Sequence, residues 1–247
     1  MKRASSADSG KTPVITVATL ISFLFVLFLG GSQAFAQGFW AKKDYREWTQ
    51  RECDRLLQDS PWAKRLHLVS TMGGETGAEQ GYVTYEIQIR SALPVRQAMV
   101  RRMMIANNYD KMSPEQKQKF DGNVEGFLNA DFGNSVVINV TFVTNLPRIE
   151  LDLQRHWQTQ STELLQHSVF LVPGKGDRIP VAQFIPTKGS EFQFIFPREI
   201  DGAAIISEKD RDLILQFSYP AVGGIGDGRG QVNFRVRDMK LGDNLIF

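Results

Sequence analysis

Alternating apolar and polar positions in residues 82–90 (YVTYEIQIR) predict a half-buried antiparallel strand. The expected inward-facing residues are Val83, Tyr85, Ile87 and Ile89, and the expected outward-facing residues are Thr84, Glu86, Gln88 and Arg90. Residues 135–144 (SVVINVTFVT) are apolar at many positions on both faces and predict a more central strand. A shorter strand is expected near residues 66–71.

Helical spacing of apolar residues predicts four helices before residue 167. They cover residues 44–58, residues 94–106, a segment that begins after Ser113, and residues 148–166. Asp44 and Glu47 form the expected capping box of the first helix, and Ser113 is the expected N-cap of the third. Hydroxyl residues near 159–162 weaken the prediction of the fourth helix.

The segment after about Ser168 changes to short β-strands that are separated by turns and often end in proline. This change predicts an α+β fold, with N-terminal helices and antiparallel strands followed by a β-rich C-terminal meander or small sandwich. We expect residues 37–247 to form a single domain. A division into two lobes near residue 167 is the alternative.

Residues 1–36 have the three parts of a secretory signal peptide. Lys2, Arg3 and Lys11 form the basic n-region, and an apolar stretch covers residues 14–29. The sequence Ala34-Phe35-Ala36 then predicts cleavage between Ala36 and Gln37. The alternative is that residues 14–29 remain as an uncleaved membrane anchor. Both interpretations place the remainder outside the cytoplasm, as a periplasmic, secreted or membrane-anchored protein.

The charge balance argues against a nucleic-acid partner. Residues 1–36 contain three of the 29 basic side chains and one of the 27 acidic ones, so 26 of each sign remain after them. Without a net positive field we expect no nucleic acid as partner, and contact with a membrane only through an uncleaved signal segment. The single cysteine, Cys53, is expected to be a small apolar filler on the first helix.

Arg96 is the one candidate ligand-binding residue. At helical spacing it falls among Met99, Val100, Met103 and Ala106, so its guanidinium needs a partner if that face is buried. We expect an ion pair with a buried acid. The alternatives are a side chain that extends to solvent and a clamp for a ligand carboxylate.

The other patterns favour ordinary structural roles. His67, His156 and His167 lie far apart in sequence and predict no metal site. Methionines in residues 99–112 could bind Cu(I) but are more typical of a core. The glycine-rich residues 223–230 and the sequence GKGD at 174–177 favour turns over anion sites. No catalytic residue and no cofactor is predicted.

Four segments resemble uncharacterised exported bacterial proteins. They are WTQRECDRLLQDSPWA, EIQIRSALPVRQA, YDKMSPEQKQKF and VNFRVRDM, within a similarity that extends from about Asp44 to Met239. The resemblance implies a bacterial envelope setting and no activity.

The sequence therefore favours a non-catalytic cell-envelope or secreted protein that binds another envelope protein or a surface component. One alternative is an extracytoplasmic hydrolase whose site is assembled from distant residues. Another is a carrier of a small apolar ligand, suggested by the phenylalanines of the late strands: Phe184, Phe192, Phe194, Phe196 and Phe217.

Overall fold

The computed structural model describes residues 38–71, 80–174 and 176–247. The expected signal peptide, the possible anchor at 14–29 and the cleavage site at Ala36–Gln37 all lie outside these ranges. Within them, no helix combines the length and the apolar character that a membrane span requires.

The described residues form five α-helices, most of which begin at a capping residue or a proline. They are α1 (Gln50–Gln58), α2 (Leu93–Ala106), α3 (Pro114–Leu128), α4 (Pro147–Gln158) and α5 (Thr162–Leu165). Short 3-10 helices cover Phe39–Ala41, Tyr45–Glu47, Tyr109–Lys111 and Val236–Asp238. Helix α1 packs against α2, and α2 packs against α3.

Two of the expected helices have different limits. Asp44 caps only the 3-10 helix Tyr45–Glu47, and α1 begins at Gln50 because Thr49 and Glu52 form the capping box. Residues 148–166 divide into α4 and α5: α4 ends at Gln158 with Thr159 as its C-cap, and Ser161 caps the start of α5, where its side chain accepts a hydrogen bond from the Leu164 N–H.

Nine strands of the described residues form two antiparallel sheets. They are β1 (Ala63–Val69), β2 (Tyr82–Ile89), β3 (Ser135–Thr144), β4 (Phe170–Pro173), β5 (Ile179–Pro180), β6 (Gln183–Pro186), β7 (Glu191–Pro197), β10 (Asp212–Tyr219) and β11 (Gly228–Arg235). The five-stranded sheet has the order β1-β2-β3-β7-β6, and the four-stranded sheet has the order β11-β10-β4-β5. The pairs β8–β9 (Glu199–Ile200, Ala203–Ala204) and β12–β13 (Lys240–Leu241, Asn244–Leu245) form two small hairpins.

The prediction of an α+β fold with a β-rich C-terminal part is confirmed. Strands from before and after residue 167 share the five-stranded sheet, since β7 pairs with β3. The turn expected at the glycine-rich residues 223–230 is confirmed only in part: residues 223–227 lie in the connection between β10 and β11, whereas residues 228–230 belong to β11.

Aromatic side chains fill the space between the two sheets. The ring of Phe217 on β10 lies 5.4 Å from that of Tyr85 on β2 and 6.2 Å from that of Phe194 on β7, measured between centroids. Trp157 of α4 stacks on Phe192 at 4.1 Å. The five late phenylalanines are at most 6% exposed, and contacts among them favour an ordinary core over a cavity for an apolar ligand.

Glycine packing gives a first test of this arrangement. A Cβ on Gly126, on the exposed side of α3, would meet nothing within 4 Å. Gly126→Ala should therefore stabilise the protein by about 0.5–1 kcal/mol, because alanine loses less backbone entropy in a helix. Gly230→Ala in β11 should destabilise it by about 1–3 kcal/mol, since the new Cβ would lie 2.6 Å from Leu66 Cδ2. Urea denaturation midpoints measure both changes, and a midpoint that rises for Gly230→Ala would contradict the packing of β11 against β1.

The burial of Cys53 gives a second test. Its side chain is fully buried on α1, and burial raises the pKa of the Cys53 thiol to about 11. At pH 8 such a thiol is about one part in a thousand thiolate, against about a quarter for an ordinary cysteine. Iodoacetamide at pH 8 should label the protein only after unfolding in urea, as read by intact mass. Labelling of the native protein at the rate of a free thiol would contradict this burial.

Candidate functional site

The five-stranded sheet has an apolar face and a polar face. The apolar face carries Val83, Tyr85, Ile87 and Ile89 inward, as predicted from the alternation in β2. The opposite face carries the polar residues of β2, β3 and β7. This polar face is only partly open to solvent, because α1 and α2 border it.

Three carboxamides lie side by side across the polar face. The sheet register pairs Gln88 of β2 with Asn139 of β3, and Asn139 with Gln193 of β7. Neighbouring strands lie about 4.8 Å apart, so the three side chains form a continuous row. Asn139 is 1% exposed, its Oδ1 accepts from Gln193 Nε2 at 3.4 Å, and Gln88 Nε2 donates to the Leu57 carbonyl at 2.8 Å. These contacts hold the row in place.

Arg90 lies at the end of this row, directly after β2. Its backbone N–H donates to the Val137 carbonyl at 2.7 Å, which fixes the residue beside β3. Its Nη2 donates to Gln88 Oε1 at 3.4 Å and to Glu191 Oε1 at 3.3 Å. Its Nε is buried and has no acceptor among the described residues. Burial lowers the pKa of the Arg90 guanidinium, and the nearby Glu191 carboxylate partly offsets that effect.

Two cavities meet at Arg90. The first has a volume of about 480 Å³ and lies between the polar face and α2; its apolar wall consists of Leu57, Met99, Met103 and Ala106. The second, of about 460 Å³, lies beside the connection from α3 to β3 and includes Phe127, Phe132 and Ile195. Both volumes are in the range of small-molecule sites. We call the first cavity the Arg90 cleft.

The alternation in β2 predicts Arg90 on the outward face, which the structure confirms, but no sequence pattern marks Arg90 as a ligand-binding residue. Asn139 was the available signal, since it is a polar residue in the middle of an apolar strand. The row of carboxamides depends on the pairing register of β2, β3 and β7, because Gln88, Asn139 and Gln193 come from distant parts of the chain.

Arg96, the candidate ligand-binding residue from the sequence, is buried as expected, with 7% of its surface exposed. The prediction that an acid is its partner is wrong. Its Nη1 donates to the carbonyls of Phe127, Leu128 and Ala130 at 3.3, 2.7 and 2.9 Å. No described carboxylate forms an ion pair with it. The first two carbonyls belong to the last turn of α3, where the helix dipole favours a cation. The guanidinium therefore acts as a cap for α3.

The expectation that the methionine side of α2 is buried is also wrong in part. Met104 is buried at 1% exposure, whereas Met103 is 47% exposed and Ala106 is exposed. Met99 and Met103 instead line the Arg90 cleft. The helix turns this side to the cleft because Val95, Val100 and Met104 form its buried side.

The three histidines lie on separate elements. His67 on β1 shares a hydrogen bond with Thr84 at 2.8 Å, His156 on α4 contacts the Trp157 ring, and His167 is exposed after α5. Burial lowers the pKa of the His156 imidazole. Across residues 38–71, 80–174 and 176–247, no group of three or more His, Cys, Asp or Glu side chains could hold a metal ion.

A larger cleft, of about 960 Å³, lies between the 3-10 helix Tyr45–Glu47, α2 and α3. Its charged residues are Arg46, Lys117, Asp121 and Glu125. Tyr109 donates to Asp121 at 2.8 Å, and Lys117 lies over the Tyr109 ring. Arg46 and Glu125 are exposed and Lys117 and Asp121 are half-buried, so the charged groups of this cleft are more open to solvent than Arg90 is.

The comparisons with known proteins give no further guide. The chain matches no family model, no curated protein and no solved structure.

Substitution of Arg96 tests its role as a cap. Arg96→Met should destabilise the protein by about 2–3 kcal/mol, because it removes a charged donor and leaves carbonyls at the end of α3 without a partner. Arg155→Met is the control; Arg155 is 76% exposed in a surface ion pair, so its loss should cost less than about 0.5 kcal/mol. Urea denaturation measures both.

The pH dependence separates this role from the ion pair expected earlier. Carbonyl acceptors do not titrate, so the loss for Arg96→Met should stay constant from about pH 7 to about pH 3.5. A carboxylate partner would instead make the loss shrink as that acid becomes protonated. An unchanged midpoint at pH 7 would contradict both interpretations.

Proposed function

We propose that the protein binds a small polar ligand in the Arg90 cleft and does so without catalysis. The observation that carries the proposal is Arg90 itself, a largely buried guanidinium between two cavities whose Nε finds no acceptor in the part of the chain that the structure describes. A buried donor without a partner is costly, and a ligand oxygen would satisfy it.

The carboxamides around Arg90 support binding over catalysis, and the Glu191 carboxylate beside it is held in an ion pair with Arg90. The row of Gln88, Asn139 and Gln193 offers donors and acceptors that orient a ligand, but carboxamides do not ordinarily transfer protons or attack a substrate. The Arg90 guanidinium stays protonated in the accessible pH range. His67 lies on β1 opposite Thr84, and its Nδ1 shares a hydrogen bond with the Thr84 hydroxyl.

Export to the cell envelope is part of the same proposal. Its support comes from the basic, apolar and A-F-A segments of residues 1–36. A binding protein in that compartment would meet solutes and surface components directly. The partner is therefore proposed to be a small solute or a fragment of a surface component.

A thermal-shift screen tests the proposal with named probes. The probes are amino acids, dipeptides, dicarboxylates, inorganic phosphate, monosaccharides and disaccharides. At least one class should raise the Tm of the wild-type protein by about 3–6 °C at ten times its Kd. Arg90→Lys should abolish that rise, because lysine keeps the charge but loses the planar set of donors.

Arg229→Lys is the matched control, since Arg229 is exposed on β11 of the other sheet. It should retain the full rise in Tm. Circular dichroism checks that both variants fold. A rise of equal size in wild type and Arg90→Lys would overturn the proposed site, and so would a screen in which no probe raises the wild-type Tm.

A further inference from the structure

The Arg90 cleft presents both signs of charge to a ligand. Glu86 and Glu191 supply carboxylates, and Arg90 and Arg102 supply guanidinium groups. Arg102 is paired with Asp54 at 3.3 Å, and Glu191 is paired with Arg90. The Glu86 carboxylate forms no ion pair with a described residue. Glu86 is thus an acceptor left for a ligand cation.

Arg90 still has donors for an anionic group. Glu191 and Gln88 both accept hydrogen bonds from Nη2, whereas Nη1 donates to no described residue and Nε has no acceptor among them. A carboxylate can bind a guanidinium through two parallel N–H groups. Arg65 lies opposite Glu86 in the pairing of β1 with β2 but forms no ion pair with it. The cleft therefore combines one carboxylate that has no ion pair among the described residues with one guanidinium that has unused donors.

The spacing of these two groups sets the size of the ligand. The head of Arg90 reaches back to Gln88, and Gln88 and Glu86 are two residues apart on the same face of β2. Two residues of a strand span about 7 Å. An extended dipeptide also spans about 7 Å at most. Its amino and carboxylate ends could therefore reach Glu86 and Arg90 together.

The walls of the cleft fit the middle of such a ligand. Gln88 and Thr141 lie along the floor, where an amide and a hydroxyl can bond to the N–H and C=O of one peptide group. Met99, Met103 and Leu57 form an apolar wall on the opposite side, and methionine adapts to side chains of varied shape. The volume of about 480 Å³ leaves room for two side chains of moderate size.

We propose, resting on the proposed binding function, that the ligand is a zwitterionic dipeptide with apolar side chains. Its ammonium group contacts Glu86, its carboxylate contacts Arg90, and its peptide group contacts Gln88 and Thr141. The ligand carries one charge of each sign, and side chains of both signs line the cleft.

Isothermal titration calorimetry with L-leucyl-L-leucine tests the assignment. The matched probes are N-acetyl-leucyl-leucine, which lacks the ammonium group, and leucyl-leucine amide, which lacks the carboxylate. Maltose and succinate represent other ligand classes. Each blocked dipeptide should bind at least about tenfold more weakly than leucyl-leucine, because it lacks one of the two charged contacts that leucyl-leucine makes in the cleft.

Two variants assign the ends of the ligand. Glu86→Gln should weaken leucyl-leucine about tenfold and leave N-acetyl-leucyl-leucine unchanged, since that probe has no ammonium group to lose. Arg90→Lys should weaken leucyl-leucine and leave its amide unchanged. Glu125→Gln, on the exposed side of α3 in the larger cleft, should bind every probe as the wild type does.

The outcomes separate this inference from the proposed function. If succinate or maltose binds in a manner that depends on Arg90 and leucyl-leucine does not bind, the ligand class is wrong and the binding function stands. Equal affinity for leucyl-leucine and its blocked forms would overturn the zwitterion assignment in the same way. If no probe binds in a manner that depends on Arg90, both proposals fail.

Discussion

The register of strand β3 with its two neighbours determines both the core and the cleft. Its pairing with β2 and β7 places Val136, Ile138, Val140 and Phe142 toward the second sheet, where they are at most 2% exposed. The same pairing places Asn139 and Thr141 on the other face. Because side chains alternate along a strand, a slip of one residue would move the whole apolar set to the cleft side. Packing of the core thus fixes the row of polar groups that faces the cleft.

Burial of the polar face is less favourable to the stability of the fold than burial of the apolar face. Asn139 is almost fully buried, and its hydrogen bonds to Thr141 and Gln193 are long, at 3.5 and 3.4 Å. Arg90 is largely buried, and its Nε has no acceptor among the described residues. An apolar face against α2 would have cost less, since buried polar groups stabilise a fold only when they are fully hydrogen-bonded. Departures from apolar packing of this kind tend to occur at functional sites, which supports the choice of this cleft.

Much of the fold was predictable because it depends on local patterns. The alternation in β2, the start of α3 at Ser113 and Pro114, and the β-rich C-terminal part all follow from residues close in sequence. The start of α1 was misplaced because Asp44 with Glu47 and Thr49 with Glu52 are two competing capping signals a few residues apart. The cleft was not predictable, since it needs the pairing of residues about fifty positions apart, such as Gln88 with Asn139 and Asn139 with Gln193.

Arg96 shows how a correct inference about burial can lead to a wrong partner. Its position on α2 indicated a buried guanidinium, but a sequence cannot reveal that carbonyls more than thirty residues away, at the end of α3, are the acceptors. The guanidinium also lies 5.0 Å from the centre of the Phe132 ring. Phe132 in turn lines the second cavity beside Arg90. Arg96 therefore joins the end of α3 to a wall of that cavity, so the packing of this exposed helix and the shape of the region around Arg90 depend on the same buried cation.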